Sequence, residues 1–127
     1  MPFFHAVLLI DHHTAKVLQF DAEQVEIETV FEKAIYTRQH NSEVRTEHEF
    51  FSEVCNALSG ITEILVVGPH MAQADFRRNI EKHHFSVSRR IVGWETVDNP
   101  TDPQLVAFAR RYFSEREREV ASPHNSV

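Results

Sequence analysis

The sequence predicts an α/β domain: a mixed five-stranded sheet in βββαβαβα order with helices on its faces. Three observations carry that prediction. Residues 3–10 (FFHAVLLI) are apolar on both faces, as a strand at the centre of a sheet is. Residues 25–32 alternate strictly, with Val25, Ile27, Thr29 and Phe31 on one face and Glu26, Glu28, Val30 and Glu32 on the other. One face of that strand is therefore wet, and the strand belongs near a sheet edge. After residue 33 the hydrophobic period changes from two to about 3.6, and helices alternate with strands from there on.

The elements follow in order. Asp11-His12-His13-Thr14 turns the first strand into a second over residues 15–20, and Asp21-Ala22-Glu23-Gln24 turns that into a third over residues 25–31. Residues 33–45 are polar and read as a connection, either an extension of the third strand or a mobile loop. The first helix is expected to open at Thr46, with Glu49 three residues on as a capping box. Phe50, Phe51, Val54, Cys55 and Leu58 form its stripe toward the sheet, and Gly60 is its expected stop. Cys55 falls within that stripe, so a packed core thiol is expected rather than a nucleophile. Residues 61–67 (ITEILVV) are short and β-branched, a parallel strand feeding a crossover. Gly68-Pro69-His70 joins it to a helix over residues 71–84, with Met71, Phe76 and Ile80 available for the core. Residues 85–94 are expected to be the last strand. Thr101 or Asp102 then caps a final helix with Pro103 in its first turn and Leu105, Val106, Ala109, Tyr112 and Phe113 as its buried stripe. Beyond Ser114 the apolar face is lost, so the single domain is expected over residues 1–113, with a fraying helix end and disordered tail over 114–127.

Composition narrows the class. A chain of 127 residues makes one domain with a core of its own. One cysteine forms no internal disulfide, which fits a reducing compartment. No apolar run approaches the ~20 residues of a membrane span, and the start lacks the basic region of a signal peptide. A cytoplasmic protein is the expectation. The net charge of −6 argues against a simple polyanion binder, but the charge is unevenly placed. Residues 21–32 carry Asp21, Glu23, Glu26, Glu28 and Glu32 with no basic residue, whereas residues 77–90 carry Arg77, Arg78, Lys82, Arg89 and Arg90 against Glu81 alone. Either these are two solvated faces, or the molecule orients itself on a charged partner.

Candidate chemistry centres on one rim of the sheet. In this ribonuclease H-like plan the first and fourth strands are adjacent and parallel, so Asp11, His12, His13, Gly68 and His70 gather where open α/β sheets bind ligands. A two-metal nuclease of that plan needs carboxylates on the first strand, the first helix and the end of the fourth strand. Asp11 fits the first position and Glu49 or Glu53 the second, but Val66-Val67-Gly68-Pro69-His70 supplies none. Asp98 and Asp102 substitute only along an unusual backbone path. Nine histidines invite a metal site, yet His12-His13 and His83-His84 are adjacent pairs whose members point apart, and no HExxH is present. His5 reads as a core histidine. Gly68-Pro69 before a helix is either an anion cradle or simply a tight turn, and Pro69 removes one donor. No metal, cofactor or catalytic set is expected.

Three segments resemble a known family. HAVLLIDHHTAKVLQF, with Asp11, Ala15 and Val17, resembles the first hairpin in the central domain of Pelota and the archaeo-eukaryotic class-1 release factors. ILVVGPHMAQADFRRNI, with Gly68, Pro69 and Phe76, is similar to the strand–Gly-Pro–helix segment of that domain, and DNPTDPQLVAFARRYF to the last helix of bacterial relatives grouped as translational machinery components. The resemblance covers most of residues 4–113 and implies a translational machinery component topology. Release factors carry a Gly-Gly-Gln loop; here Gly60, Gly68 and Gly93 are the only glycines and none adjoin, so peptide release is not implied. Pelota-like domains often place a basic residue in the helix after Gly-Pro, where this chain has Met71-Ala72-Gln73-Ala74-Asp75.

The expected function is therefore a non-catalytic, ribosome-associated accessory module, contacting the ribosome or structured RNA through Arg77, Arg78, Lys82, Arg89 and Arg90. Of these, Arg78 and Lys82 are four apart and share a helix face. A self-associating or protein-binding regulatory domain is the alternative, with the acidic third strand as an exposed edge. A metal-dependent hydrolase at the histidine-rich rim is the third reading.

Overall fold

The computed structural model describes residues 4–11, 14–21, 23–30, 42–98 and 100–121. Its strands are β1 (His5–Ile10), β2 (Ala15–Phe20), β3 (Val25–Val30), β4 (Glu63–Val67) and β5 (Ile91–Glu95). They form one sheet in the order β3-β2-β1-β4-β5. β1 to β3 are antiparallel, β1 pairs with β4 in parallel, and β4 with β5 in parallel. This is the mixed five-stranded sheet the sequence predicts.

Both hairpins use the same turn chemistry. Asp11 accepts the Thr14 N–H at 2.8 Å on its carboxylate while its own N–H donates to the Thr14 carbonyl at 3.0 Å. Asp21 repeats this with Gln24, at 2.8 and 3.0 Å, and also accepts the Glu23 N–H. An aspartate at the start of a two-residue loop satisfies the N–H groups that the ladder leaves open. These bonds hold the Asp21 carboxyl below the usual carboxylate range, the Glu23 and Gln24 N–H groups being the main cause.

The helices are α1 (Ser42–Ala57), α2 (His70–His83), the single turn α3 (Phe85–Ser88) and α4 (Asp102–Ala121). They cover opposite faces. Phe50, Phe51 and Val54 of α1, Leu58 just after it, Phe76 and Ile80 of α2, and Val87 of α3 pack on Ala6, Leu8, Ile10, Val17, Ile64 and Val66. Leu105, Val106, Ala109 and Phe113 of α4 pack on Val7, Leu18, Phe20, Leu65 and Val67. Alternate residues of β1 and β4 thus serve two separate cores, which is why these strands read as apolar throughout. Gly60, at φ 85°, follows the end of α1 as expected.

Five expectations need correction. α1 opens at Ser42, so Thr46 lies inside it rather than capping it. Met71 is 62% exposed and belongs to no core. Residues 85–88 are a helical turn, not strand, and β5 begins only at Ile91. Val87 alone of that turn is buried, seated against the α1–α2 core, and a helical turn places it there while Phe85 points to solvent. The strand–helix join is shorter than expected, since α2 already includes His70. Finally, α4 continues past Ser114 to Ala121, and two residues of its last turns interact with the sheet. Arg116 reaches Glu63 at 3.6 Å, and Glu117 reaches His5 at 3.6 Å. Residues 31–41, most of the expected polar connection, and residues 122–127 lie outside the described residues.

The final helix opens with a capping box. The Thr101 hydroxyl accepts the Gln104 N–H at 3.2 Å, and the Gln104 side chain accepts the Thr101 N–H at 2.9 Å.

Candidate nucleic-acid interface

The five basic residues singled out in the sequence separate into three groups. Arg78 and Lys82 lie one helical turn apart on α2 and line the same cleft, of about 380 Å³, with Phe51, Asp75, Asn79 and His83. Arg78 pairs with Asp75 at 2.7 Å, an exposed contact worth little in water. Lys82 is exposed and, among the described residues, forms no ion pair. The Asn79 side-chain carbonyl oxygen is buried beside them and meets no hydrogen-bond partner among the described residues. The cleft therefore combines two cations, an amide with unmet hydrogen-bonding capacity and an imidazole.

Three histidines converge at its margin. The His48 ring of α1 meets His83 edge-on at 5.0 Å and lies 6.5 Å from His84. His84 Nε2 sits 3.4 Å from the Ser52 hydroxyl. Burial holds His84 below the ordinary histidine range, and the positive charge of protonated His48 and His83 adds to that. Sequence reasoning paired His83 with His84 and missed His48, because the contact joins residues more than 30 positions apart. Among the described residues no group of three His, Cys, Asp or Glu is placed to hold a metal ion.

Arg77 points elsewhere. Its guanidinium lies 5.2 Å from the Trp94 ring centroid and 3.2 Å from Glu81, so it braces α2 against β5. Arg89 is exposed on the turn before β5, not on a strand. Arg90 is structural: its guanidinium donates to the carbonyls of Leu58 at 3.1 Å, Ile61 at 2.5 Å and Ser86 at 3.1 Å. It thereby ties the turn after α1 to the segment between α3 and β5. Cys55 is buried near it, and desolvation pushes the thiol up to about 12 against the opposing pull of Arg90. A thiol so shifted stays protonated and inert at neutral pH.

The rim of the sheet is also built, but for structure. Gly68, at φ 140°, backs onto the Ile10 carbonyl so closely that any Cβ would collide with it. Asp11 therefore lies beside the Gly68-Pro69 step, with its carboxylate engaged in its own turn. The Gly68 N–H donates to the Glu95 carbonyl at 3.3 Å, so it is not offered to an anion. Gln73, which the sequence reading passed over, donates from its buried amide to the Gly68 and Glu95 carbonyls, each at 2.6 Å. That amide ties the ends of β4 and β5 together. His70 is exposed at the start of α2, and His12 and His13 lie outside the described residues. His5, at the opposite end of β1, lies tilted against Phe113 at 4.2 Å, with Glu63 at 3.3 Å, within ion-pair distance but not aligned for a hydrogen bond.

No protein-family model matches the sequence, and no curated protein matches it at significance. Solved structures do match. The Pelota protein of Thermoplasma acidophilum superposes with a TM-score of 0.60 at 16% identity, covering 84% of this chain and 32% of that one. Pelota of Archaeoglobus fulgidus gives 0.60 at 19% identity, covering 96% and 36%. The archaeal translation termination factor aRF1 gives 0.54 at 12% identity, covering 94% and 41%. The chain spans about a third of each Pelota and two-fifths of aRF1. At such identities the likeness establishes the fold: nearly the whole chain is built like one part of Pelota and of an archaeal release factor.

Proposed function

We propose that this chain is a non-catalytic binding module, the counterpart of the central domain of Pelota and the release factors, that docks on the ribosome or on structured RNA through α2. The observation that carries this reading is the convergence of Arg78, Lys82, Asn79 and His83 on one cleft, in a fold shared with translation factors. Two cations a turn apart suit successive phosphates, and the amide and imidazole supply directional hydrogen bonds beside them. Arg89 adds a further exposed cation nearby in sequence, whereas Arg77 and Arg90 are committed to the fold and leave the proposed contact set. The overall charge of −6 then acts as orientation, repelling the acidic β3 side from the polyanion.

Neither peptide release nor nuclease turnover is part of the proposal. The glutamine loop is missing from the sequence, and β4 ends without a carboxylate. The test is sedimentation of tagged protein through a sucrose gradient at low salt, under normal and stalled translation. The account expects a ribonuclease-sensitive fraction co-migrating with ribosomes. Protein confined to the top of the gradient in both conditions contradicts it.

A further inference from the structure

The outer edge of β3 has the features of a strand-docking site. β3 ends the sheet on one side, and no described strand pairs with its outer edge. The Asp21 N–H to Gln24 carbonyl bond makes that residue pair a hydrogen-bonded one, and antiparallel pairs alternate from there. Val25 opposite Phe20 and Ile27 opposite Leu18 are then non-bonded pairs, so the N–H and C=O groups of Val25 and Ile27 face outward from the sheet. These two side chains lie on the α4 face, where their partners Phe20 and Leu18 are buried. α4 does not reach over them, and Val25 remains 38% and Ile27 49% exposed. Glu26 and Glu28 stand exposed on the opposite face, in a segment with five acidic residues and no basic one.

We propose that β3 accepts an added strand from a partner polypeptide, an extended segment in which Lys or Arg alternates with apolar residues. Its apolar side chains lie beside Val25 and Ile27, extending the apolar α4 face of the sheet. Its basic side chains lie beside Glu26 and Glu28. Main-chain hydrogen bonds supply affinity, and the alternation supplies selectivity. A second copy of this chain is a poor occupant. In a symmetric antiparallel continuation, facing residues share a sheet face, and centring it on Glu26, Ile27 or Glu28 brings carboxylates opposite one another (26 with 26, 26 with 28, or 28 with 28). Like charges directly opposite are destabilising. The charge pattern thus selects a basic partner over self-association, and it does so on an element separate from α2, independently of any RNA contact.

The test uses the full chain, isotope-labelled for NMR, and two synthetic peptides that alternate Lys with Val or Glu with Val. The Lys peptide should shift the amide resonances of β3, with affinity roughly tenfold above that of the Glu peptide. In the variant Glu26→Lys/Glu28→Lys the preference should reverse, and Glu26→Gln/Glu28→Gln should abolish it. Both substituted side chains are exposed, and unchanged dispersion of the remaining spectrum checks the fold. Equal response to both peptides, a preference unaltered by either variant, shifts confined to other elements, or no response to either peptide at millimolar concentration would each overturn the proposal.

Discussion

Arg90 shows how a residue's chemistry is legible before its role is. The sequence marks it as one of a basic group, and the structure spends it on three carbonyls, two of them in the turn that follows α1. Arg90→Ala should lower stability by about 1.5–3 kcal/mol, the range for hydrogen bonds made by a charged donor, read as a shift in urea midpoint at unchanged slope. Arg90→Lys should recover little of this, because an ammonium cannot span three acceptors as a planar fork does. RNA affinity should follow neither variant once the protein is folded. The sequence hid this role because Leu58 and Ile61 lie about 30 positions away, and nothing local marks a carbonyl as unsatisfied. By contrast, Cys55 was legible: its place in a period-3.6 apolar stripe predicts burial, and burial raises the thiol.

At the scale of elements, periodicity reports where a helix touches the sheet rather than where it begins. The stripe from Phe50 to Leu58 was read correctly, but the polar turn before it concealed the start at Ser42. The last strand was misjudged for a related reason. FSVSRRIVGW is β-branched and aromatic, yet its first four residues gain more by wrapping Val87 into the core as a helical turn. The packing of α1 against α2 leads to a pH prediction. His84 has a folded pKa below its unfolded value of 6.5, so the native state binds fewer protons than the unfolded one. Its contribution to stability is full above that value and is lost as pH falls from 6.5 through the folded pKa. His48 faces it across the helix contact, and the positive charge of His48 and of the neighbouring His83 adds to the lowering. Thermal midpoints measured through this window should fall with acidity, and His84→Gln should flatten the slope. An unchanged slope would assign the acid sensitivity to other groups.

On the scale of the whole molecule, five strand patterns and three helix patterns sufficed to lay out the sheet. The strands that proved central, β1 and β4, are those apolar on both faces. The alternating β3 proved to be an edge, with both of its described faces exposed. The shared helix face of Arg78 and Lys82 was legible from their spacing; the wall that Phe51 of α1 adds to their cleft, and the meeting of His48 with His83, were not, because both depend on how α1 and α2 cross the same sheet face. Charge asymmetry was visible as composition, and the fold assigns it to separate elements, acid on β3 and base on α2.

The central claim, that α2 is the RNA-contacting element, is tested most directly by a salt titration. Binding of the wild-type chain and of Arg78→Ala/Lys82→Ala to ribosomes or structured RNA is measured across salt concentration. Each neutralised phosphate contributes about 0.7–0.9 to the slope of log affinity against log salt. Loss of two contacts should therefore reduce the slope's magnitude by about 1.4–1.8 and weaken binding at low salt, with the unfolding midpoint nearly unchanged because both side chains are exposed. Identical affinity and slope in the double variant would contradict the account and reduce Arg78 and Lys82 to solvation of a helix.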